Sequence, residues 1–187
     1  MKKYFKSAIT LFAICAFFAL LLALVHSFTQ SRIEANSKGE LLSSLNDVIV
    51  ANSSYSLDDE VTVENDSVVK SYFVVRSSNS DISCVVLSLT GNGFGGEFSV
   101  IASYDTDGDL LKVKLLDNSE TSGLGKKYED QSNLVMFSTH NTIPQSKSEL
   151  IESESAIVSG ATVTFDGIVK AVTAGQEFAK KLLQEVR

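Results

Sequence analysis

The tetrapeptide Ser159-Gly160-Ala161-Thr162 is the stretch of this chain best suited to phosphate or covalent chemistry. Thr162 is predicted to lie just before a helix, where unpaired backbone N–H groups and the helix dipole favour a phosphate group. Gly160 permits a backbone conformation closed to other residues, and Ala161 keeps the approach to the threonine hydroxyl uncrowded. Local chemistry alone still favours a simple capping turn, in which Ser159 and Thr162 bond backbone groups.

A second loop of interest, Glu120-Thr121-Ser122-Gly123-Leu124-Gly125, follows a predicted strand and precedes a lysine pair. Backbone without a Cβ can approach a flat ring closely, so a leucine between two glycines at the end of a strand is suited to lie against an aromatic ligand. Taken alone, Gly-Leu-Gly indicates only a flexible turn with an apolar tip.

Two further motifs favour turns over ligand sites. The glycine-dense run Gly91–Gly96 lacks a dinucleotide or P-loop fingerprint, because a strand and not a helix follows it, and a wide turn is favoured over close approach to a ligand or another chain. In Asp105-Thr106-Asp107-Gly108-Asp109 the glycine falls at position 4, whereas a calcium-binding EF-hand loop needs it at position 6. Asp-Gly between two strand-like runs predicts a hairpin turn there.

Charge and cysteine usage exclude several classes of function. The chain has 23 acidic and 16 basic residues, a net charge of −7, which makes nucleic acid an unlikely partner. Its two cysteines, Cys15 in an apolar block and Cys84 in the body, cannot form a disulfide within one domain, and no Cys/His cluster suggests a metal site. Cys84 is predicted to be a buried structural thiol. No paired carboxylates or Ser/His/Asp set suggests independent catalysis, so no catalytic residue is predicted.

The N-terminal segment, residues 1–28, predicts a membrane anchor. Residues 8–28 are almost wholly apolar and would span about 30 Å as a helix, the thickness of a bilayer's hydrocarbon core. A cleaved signal peptide is the alternative, but Val25-His26-Ser27 offers no small-x-small cleavage site. Three lysines before the span outnumber Arg32 after it, which predicts a cytoplasmic N-terminus and a domain on the outer side.

Residues 29–60 are predicted to form a juxtamembrane helix and a polar connection, the latter at residues 52–59. Apolar residues recur at helical spacing and should dock this helix on the domain: Leu41, Leu42, Leu45, Val48 and Ile49.

Residues 61–187 predict one globular domain. Five runs rich in Val, Ile, Tyr and Phe predict strands: Val61–Glu64, Val68–Arg76, Ile82–Leu89, Phe98–Tyr104 and Leu110–Leu116. A final amphipathic helix is predicted from Thr164 to Val186, with Thr164 as its N-cap. The expected fold class is α+β, with a mainly antiparallel sheet of four to six strands and helices packed against it.

Together these features resemble the FMN-binding domain family. The resemblance rests on the single anchor, the glycine-rich strand pair with its Asp-Gly turn, Glu-Thr-x-Gly-Leu-Gly at Glu120–Gly125, and Ser-Gly-Ala-Thr-x-Thr at Ser159–Thr164. Within that family the chain is most similar to the RnfG proteins, the membrane-anchored flavin subunits of bacterial Rnf electron-transport complexes. The related NqrC proteins of the sodium-pumping NADH:quinone reductase share both motifs but are usually longer.

The resemblance implies a flavin site. FMN would be joined to Thr162 through a phosphoester, placed there by a separate flavin transferase that uses FAD as donor. The recognition turn would be Ser159, Gly160 and Ala161, with Thr164 completing the motif, and the isoalloxazine side would be lined by Glu120, Thr121, Gly123, Leu124 and Gly125. Two positions depart from the family's pattern: Ser122 stands where proline is usual, and Ala156 where aspartate is usual.

The implied function is electron carriage within a membrane complex, not independent catalysis. The partners would be other Rnf-type membrane subunits, and the complex would couple ferredoxin:NAD⁺ oxidoreduction to Na⁺ or H⁺ movement. The chain would sit in the bacterial cytoplasmic membrane with its domain on the periplasmic side. Two alternatives stay open: a cofactor-free, membrane-anchored binding or scaffold domain, and an FMN carrier of another extracytoplasmic redox chain.

Overall fold

A computed structural model describes residues 2–49, 55–139 and 142–186. The chain divides into two compact units, Met1–Glu40 and Leu41–Arg187. The first unit consists of helix α1, which spans Lys2–Val48 and so continues into the second unit. The segment Ala8–Gln30 of this helix is long and apolar enough to cross a membrane, as the sequence predicted.

The second unit is built on a six-stranded antiparallel sheet. Its strand order is β1-β3-β4-β5-β6, and β2 pairs with β3 beside β1. The strands are β1 (Tyr55–Leu57), β2 (Val61–Thr62), β3 (Val69–Ser77), β4 (Ile82–Asn92), β5 (Glu97–Tyr104) and β6 (Leu110–Leu115). The helices after the sheet are α2 (Met136–Thr139), α3 (Glu152–Val158) and α4 (Thr162–Val186), with three short 3-10 helices at Gly125–Glu129, Gln131–Asn133 and Lys147–Glu149. The α+β class is therefore confirmed.

All five predicted strands form, and one strand was missed. Strand β1 lies within residues 52–59, which were predicted to be only a polar connection, and it pairs with residues 75–77 of β3. Three exposed residues of mixed polarity carry no alternation long enough to indicate a strand, so β1 exists because β3 offers it a free edge. Residues 52–54 of the predicted connection lie outside the described part of the chain.

Helix α4 covers one face of the sheet. Its apolar side buries Ile168, Val172 and Leu183 in the main core, where they pack with residues of the central strands. The hydroxyl of Tyr104 on β5 donates a hydrogen bond of 2.8 Å to the carbonyl oxygen of Val172. The helix begins at Thr162, so the prediction that Thr164 is its N-cap is wrong. Thr164 lies in the first turn and is buried.

The last part of α1, from residue 41 onward, covers the opposite face of the sheet. Leu41, Leu45, Val48 and the following Ile49 are buried in a second cluster with residues of β3, β4 and β5. The Ser103 hydroxyl on β5 donates a hydrogen bond of 2.7 Å to the Val48 carbonyl oxygen. The predicted docking of this helix is confirmed for four of the five residues, since Leu42 is exposed. The second unit thus has a helix–sheet–helix arrangement.

Two smaller predictions are also confirmed. Residues 105–109 form the turn of the β5–β6 hairpin, in which the Asp105 N–H donates to the Asp109 carbonyl oxygen at 2.9 Å and Gly108 has a φ of +81°. Cys84 is fully buried on β4, and this burial raises the pKa of its thiol to about 11. A thiol in that environment stays protonated and unreactive at neutral pH.

Candidate functional site

The predicted acceptor motif forms the corner between α3 and α4, which meet at an angle of 105°. Ser159 caps the C-terminus of α3, and its N–H donates to the Ser155 carbonyl oxygen at 3.2 Å. Gly160 follows with a φ of +82°, a left-handed conformation that a residue with a Cβ rarely adopts. The Ala161 N–H then donates to the Val158 carbonyl oxygen at 2.9 Å and closes the turn. Gly160 is what allows the chain to turn this sharply into α4.

Thr162 is the first residue of α4 and is exposed. The first-turn N–H groups of a helix have no partner within the helix, and the 25 residues of α4 add a dipole of the sign that favours an anion at this end. The sequence predicted that Thr162 lies just before the helix, whereas in the structure it is the first residue of the helix. The accessible hydroxyl and the helix terminus still coincide.

Two lysines hold the corner from outside. The Lys127 ammonium donates to the carbonyl oxygen of Ser159 at 2.9 Å, and the Lys147 ammonium donates to the hydroxyl of the same residue at 2.7 Å. Lys127 is half-buried, and this partial burial lowers its pKa. Both lysines therefore place positive charge on Ser159, three residues before Thr162, in a chain whose net charge is negative.

Glu120 joins the second predicted motif to the first. Its carboxylate is buried, with 5% of the residue exposed. Oε2 accepts a hydrogen bond of 2.9 Å from the Thr164 hydroxyl, and Oε1 accepts one of 3.1 Å from the Gly95 N–H. One side chain thus connects the loop after β6, the first turn of α4 and the β4–β5 loop.

Glycines surround this carboxylate because nothing larger fits. A Cβ added to Gly93 or Gly125 would overlap the Glu120 carboxylate, and one added to Gly95 would overlap the Ser119 carbonyl group. Gly91 and Asn92 end strand β4, and residues 93–96 form the predicted turn, whose backbone also packs directly on the loop before Gly125. In the sequence the two loops are separate features, and a shared buried carboxylate is what brings them together.

A cavity of about 310 Å³ opens between these loops. Eight of the ten residues that the sequence singled out line it: Glu120, Thr121, Leu124, Gly125, Gly160, Ala161, Thr162 and Thr164. Ser159 and Gly123 are not among the lining residues. Phe94 and Val163 also line the cavity and were not singled out. An aromatic residue placed between glycines was the available signal for Phe94.

Comparison with known proteins agrees with this geometry. The model of the FMN-binding domain matches residues 93–177, which include every residue that lines the cavity. Residues 93–177 belong to the FMN-binding domain family. The model of the RnfG N-terminal region matches residues 1–48, a range that includes helix α1. The resemblance drawn from the motifs is confirmed by these two matches.

Relatives named as the G subunit of an ion-translocating oxidoreductase complex are similar to this chain. The protein of Cereibacter sphaeroides is 34% identical over 115 residues, which cover 59% of this chain and 52% of that protein. The protein of Vibrio vulnificus is 24% identical over 196 residues, covering 97% and 92%. The chain therefore spans about half the length of the more similar relative and nearly the whole length of the more distant one.

The residues of the FMN-binding domain fit a flavin. The cavity has the size of a small ligand site, and its lining combines apolar side chains with a few polar groups. Leu124 approaches Gly160 so closely that a Cβ there would lie 3.1 Å from the leucine side chain. An apolar slot beside an exposed hydroxyl at a helix N-terminus suits a molecule with a flat ring at one end and a phosphate at the other.

Proposed function

We propose that this chain is the RnfG protein, the FMN-carrying electron-transfer subunit, of an Rnf-type ion-translocating oxidoreductase complex. The observation that carries the proposal is that Thr162 and the Glu120–Gly125 loop line one cavity inside an FMN-binding domain. The names of the similar proteins support the assignment to such a complex.

In this proposal Thr162 would carry FMN through a phosphoester on its hydroxyl, and the residues that line the cavity would hold the isoalloxazine ring. The N-terminus of α4 favours the phosphate charge, and the lysines that bind Ser159 add positive charge nearby. Glu120 holds the two loops in register through Thr164 and Gly95. When bound, the flavin supplies one- and two-electron redox chemistry, while the protein supplies position and electrostatics.

Attachment requires one phosphoryl transfer by a separate flavin transferase with FAD as donor. The Thr162 hydroxyl oxygen bonds to the phosphorus on the FMN side of the FAD pyrophosphate. The bond from that phosphorus to the oxygen bridging to AMP breaks, AMP leaves, and the threonine proton is released to solvent. Thr162 is exposed, as a residue that enters another protein's active site must be.

We further propose how the chain is organised in the membrane. Residues 1–28 form the anchor, and residues 61–187 the FMN-binding domain. Residues 29–60 between them form the juxtamembrane helix and a connection whose strand β1 joins the sheet of the domain. Lys2, Lys3 and Lys6 keep the N-terminus in the cytoplasm, which puts the domain on the periplasmic side of the bacterial inner membrane. There the domain would hold the flavin between electron-transfer centres on neighbouring Rnf-type subunits, in a complex that couples ferredoxin:NAD⁺ oxidoreduction to Na⁺ or H⁺ transport.

The test is flavin fluorescence of the full chain in a denaturing gel, after expression and export with and without a flavin transferase. We expect a fluorescent wild-type band only when the transferase is present. Thr162→Ala should be dark. The matched control is Thr121→Ala, which removes another exposed threonine hydroxyl from the same cavity and should leave the band unchanged.

A dark wild-type band would contradict covalent attachment, provided that the same transferase labels another acceptor. A fluorescent Thr162→Ala band would show that the flavin is attached to another residue. If the band behaves as expected but the protein does not co-purify with Rnf-type membrane subunits, the carrier belongs to a different extracytoplasmic redox chain.

A further inference from the structure

Phe94 is the most exposed large apolar side chain among the described residues of the second unit, with 78% of its surface accessible. It stands at the tip of the β4–β5 loop and lines the cavity together with Leu124. Removing apolar surface from water stabilises a protein by roughly 25 cal/mol for each Å². An exposed aromatic side chain does not contribute this stabilisation. Exposure on this scale, at the rim of a concave site, indicates a binding surface.

The loop that carries Phe94 is held firmly on both sides. The Gly93 N–H donates to the Gly96 carbonyl oxygen at 2.8 Å, which closes the turn around Phe94. The Gly95 N–H donates to Oε1 of Glu120, whose carboxylate is buried. Gly93 and Gly95 have no room for a Cβ against the Glu120 loop. The aromatic ring is therefore exposed on a backbone that internal contacts fix beside the cavity.

The other large apolar side chains of the cavity are also partly open to solvent. Leu124 and Val163 are 43% and 52% exposed. Leu124 lies in the loop after β6 and Val163 in the first turn of α4, and the Glu120 carboxylate joins both segments to the Phe94 loop. Three apolar side chains from three separate segments thus surround one cavity without covering one another. A flat apolar ligand between them would remove all three side chains from water at once. A turn or a packing contact does not explain why three exposed apolar side chains meet at one cavity.

We propose that Phe94 is the aromatic wall of the flavin site: its ring contacts the isoalloxazine ring and shields it from solvent. The inference rests on the proposed function, and it adds a binding residue from outside the two recognised motifs. An aromatic contact gives binding energy beyond its buried area. It also restricts the access of small oxidants and quenchers to the flavin, which matters for a carrier that should release electrons only to its partners.

The test compares wild type, Phe94→Ala and Phe94→Tyr as full-length, flavin-loaded proteins in detergent. Iodide quenching of flavin fluorescence measures how much of the ring collides with solvent species. Phe94→Ala should raise the quenching constant about twofold, since a site that encloses most of its ligand loses one of its walls. Phe94→Tyr keeps an aromatic ring at this position and should have the wild-type quenching constant. The control Ile151→Ala removes another exposed apolar side chain, one that does not line the cavity, and should change nothing.

The denaturing gel separates this inference from the proposed function. The gel reports how much flavin each variant carries, and the quenching constant does not depend on that amount. Equal bands with an unchanged quenching constant would overturn the role of Phe94 and leave covalent attachment standing. A dark wild-type band overturns covalent attachment, and titration of free FMN into the same proteins then decides the inference. About fivefold weaker binding by Phe94→Ala supports it, whereas equal binding or none overturns it.

Discussion

The Thr164 hydroxyl donates a hydrogen bond of 2.9 Å to Oε2 of Glu120, and this bond joins the first turn of α4 to the loop after β6 across 44 residues of sequence. Both residues are buried, so the bond is made where water cannot replace it. It explains why the second threonine of Ser-Gly-Ala-Thr-x-Thr and the glutamate of Glu-Thr-x-Gly-Leu-Gly occur in the same domain. Each supplies a hydrogen-bonding partner to the other, while Oε1 of Glu120 accepts from the Gly95 N–H.

Removing the Thr164 hydroxyl should therefore destabilise the domain. Thr164→Val keeps the side-chain shape but leaves a buried carboxylate oxygen short of a donor, at a cost of about 1–3 kcal/mol. Thermal unfolding of the full chain in detergent measures the loss. Thr121→Val changes an exposed threonine in the same cavity and should stay within about 0.5 kcal/mol of wild type. Equal losses in the two variants would show that the bond to Glu120 contributes nothing.

Adding one methyl group to Gly125 should also destabilise the domain, for a steric reason. The new Cβ of Gly125→Ala overlaps the Glu120 carboxylate, and relieving that overlap should cost about 1–3 kcal/mol. Gly39→Ala is the matched control, since nothing lies within 4 Å of its Cβ position and α1 gains about 0.5–1 kcal/mol from the better helix former. Opposite signs of the two shifts in melting temperature are the expected outcome.

The lysines at Ser159 should affect flavin attachment more than stability. Lys127→Met and Lys147→Met each remove one hydrogen bond to the corner that presents Thr162. A bond of about 1 kcal/mol corresponds to about a fivefold slower attachment if it orders the acceptor for the transferase. The time course of in-gel fluorescence measures this rate. Lys126→Met, which removes only an exposed pairing with Glu129 at 3.7 Å, should react at the wild-type rate.

Helix α1 should stabilise the sheet through its last turns. Leu45→Ala empties a buried position beneath the sheet and should cost about 2–5 kcal/mol. Leu42→Ala removes the same atoms from a position that is 54% exposed, and should cost less than about 0.5 kcal/mol. Urea unfolding of the full chain in detergent distinguishes the two. Similar losses would mean that residues 41–49 do not pack on the sheet in solution.

Alkaline pH should weaken the fold through Cys84. Burial raises the pKa of its thiol from 9.0 to about 11, so above pH 9 the unfolded chain loses a proton that the folded chain keeps. The contribution of the Cys84 thiol to the free energy of unfolding is complete below pH 9. It falls as the pH rises towards 11, by about 2–3 kcal/mol in total. Unfolding of wild type and Cys84→Val between pH 8 and 11 isolates the effect. Parallel pH profiles would contradict it.

Local signals were sufficient to predict much of this fold from sequence. The alternation of Phe98–Tyr104, the Asp-Gly turn at Asp107-Gly108 and the period of α4 each depend on neighbouring residues, and each element forms as predicted. The burial of Leu41, Leu45 and Val48 near the end of α1, and of Ile49 just after it, was predicted for the same reason. Strand β1 was not, because its existence depends on an edge of β3 some twenty residues away.

The site was predicted in its parts but not in its connections. The sequence indicated both Glu120 and Thr164 as site residues. Glu120 was predicted to line the isoalloxazine ring, and Thr164 was predicted to be the N-cap of the last helix. Their hydrogen bond depends on how the β6 loop and α4 meet in space, which no local pattern encodes. Phe94 was passed over for the same reason: its loop was interpreted alone, and only the packing of Gly93 and Gly95 on Glu120 sets it beside the cavity.

A backbone turn and two lysines hold the corner at Gly160, with a buried carboxylate close by. In the proposed function the same corner presents Thr162 for flavin attachment. A substitution that loosens the corner should therefore lower the stability of the domain and its flavin content together, so loss of flavin does not by itself identify a residue as the acceptor.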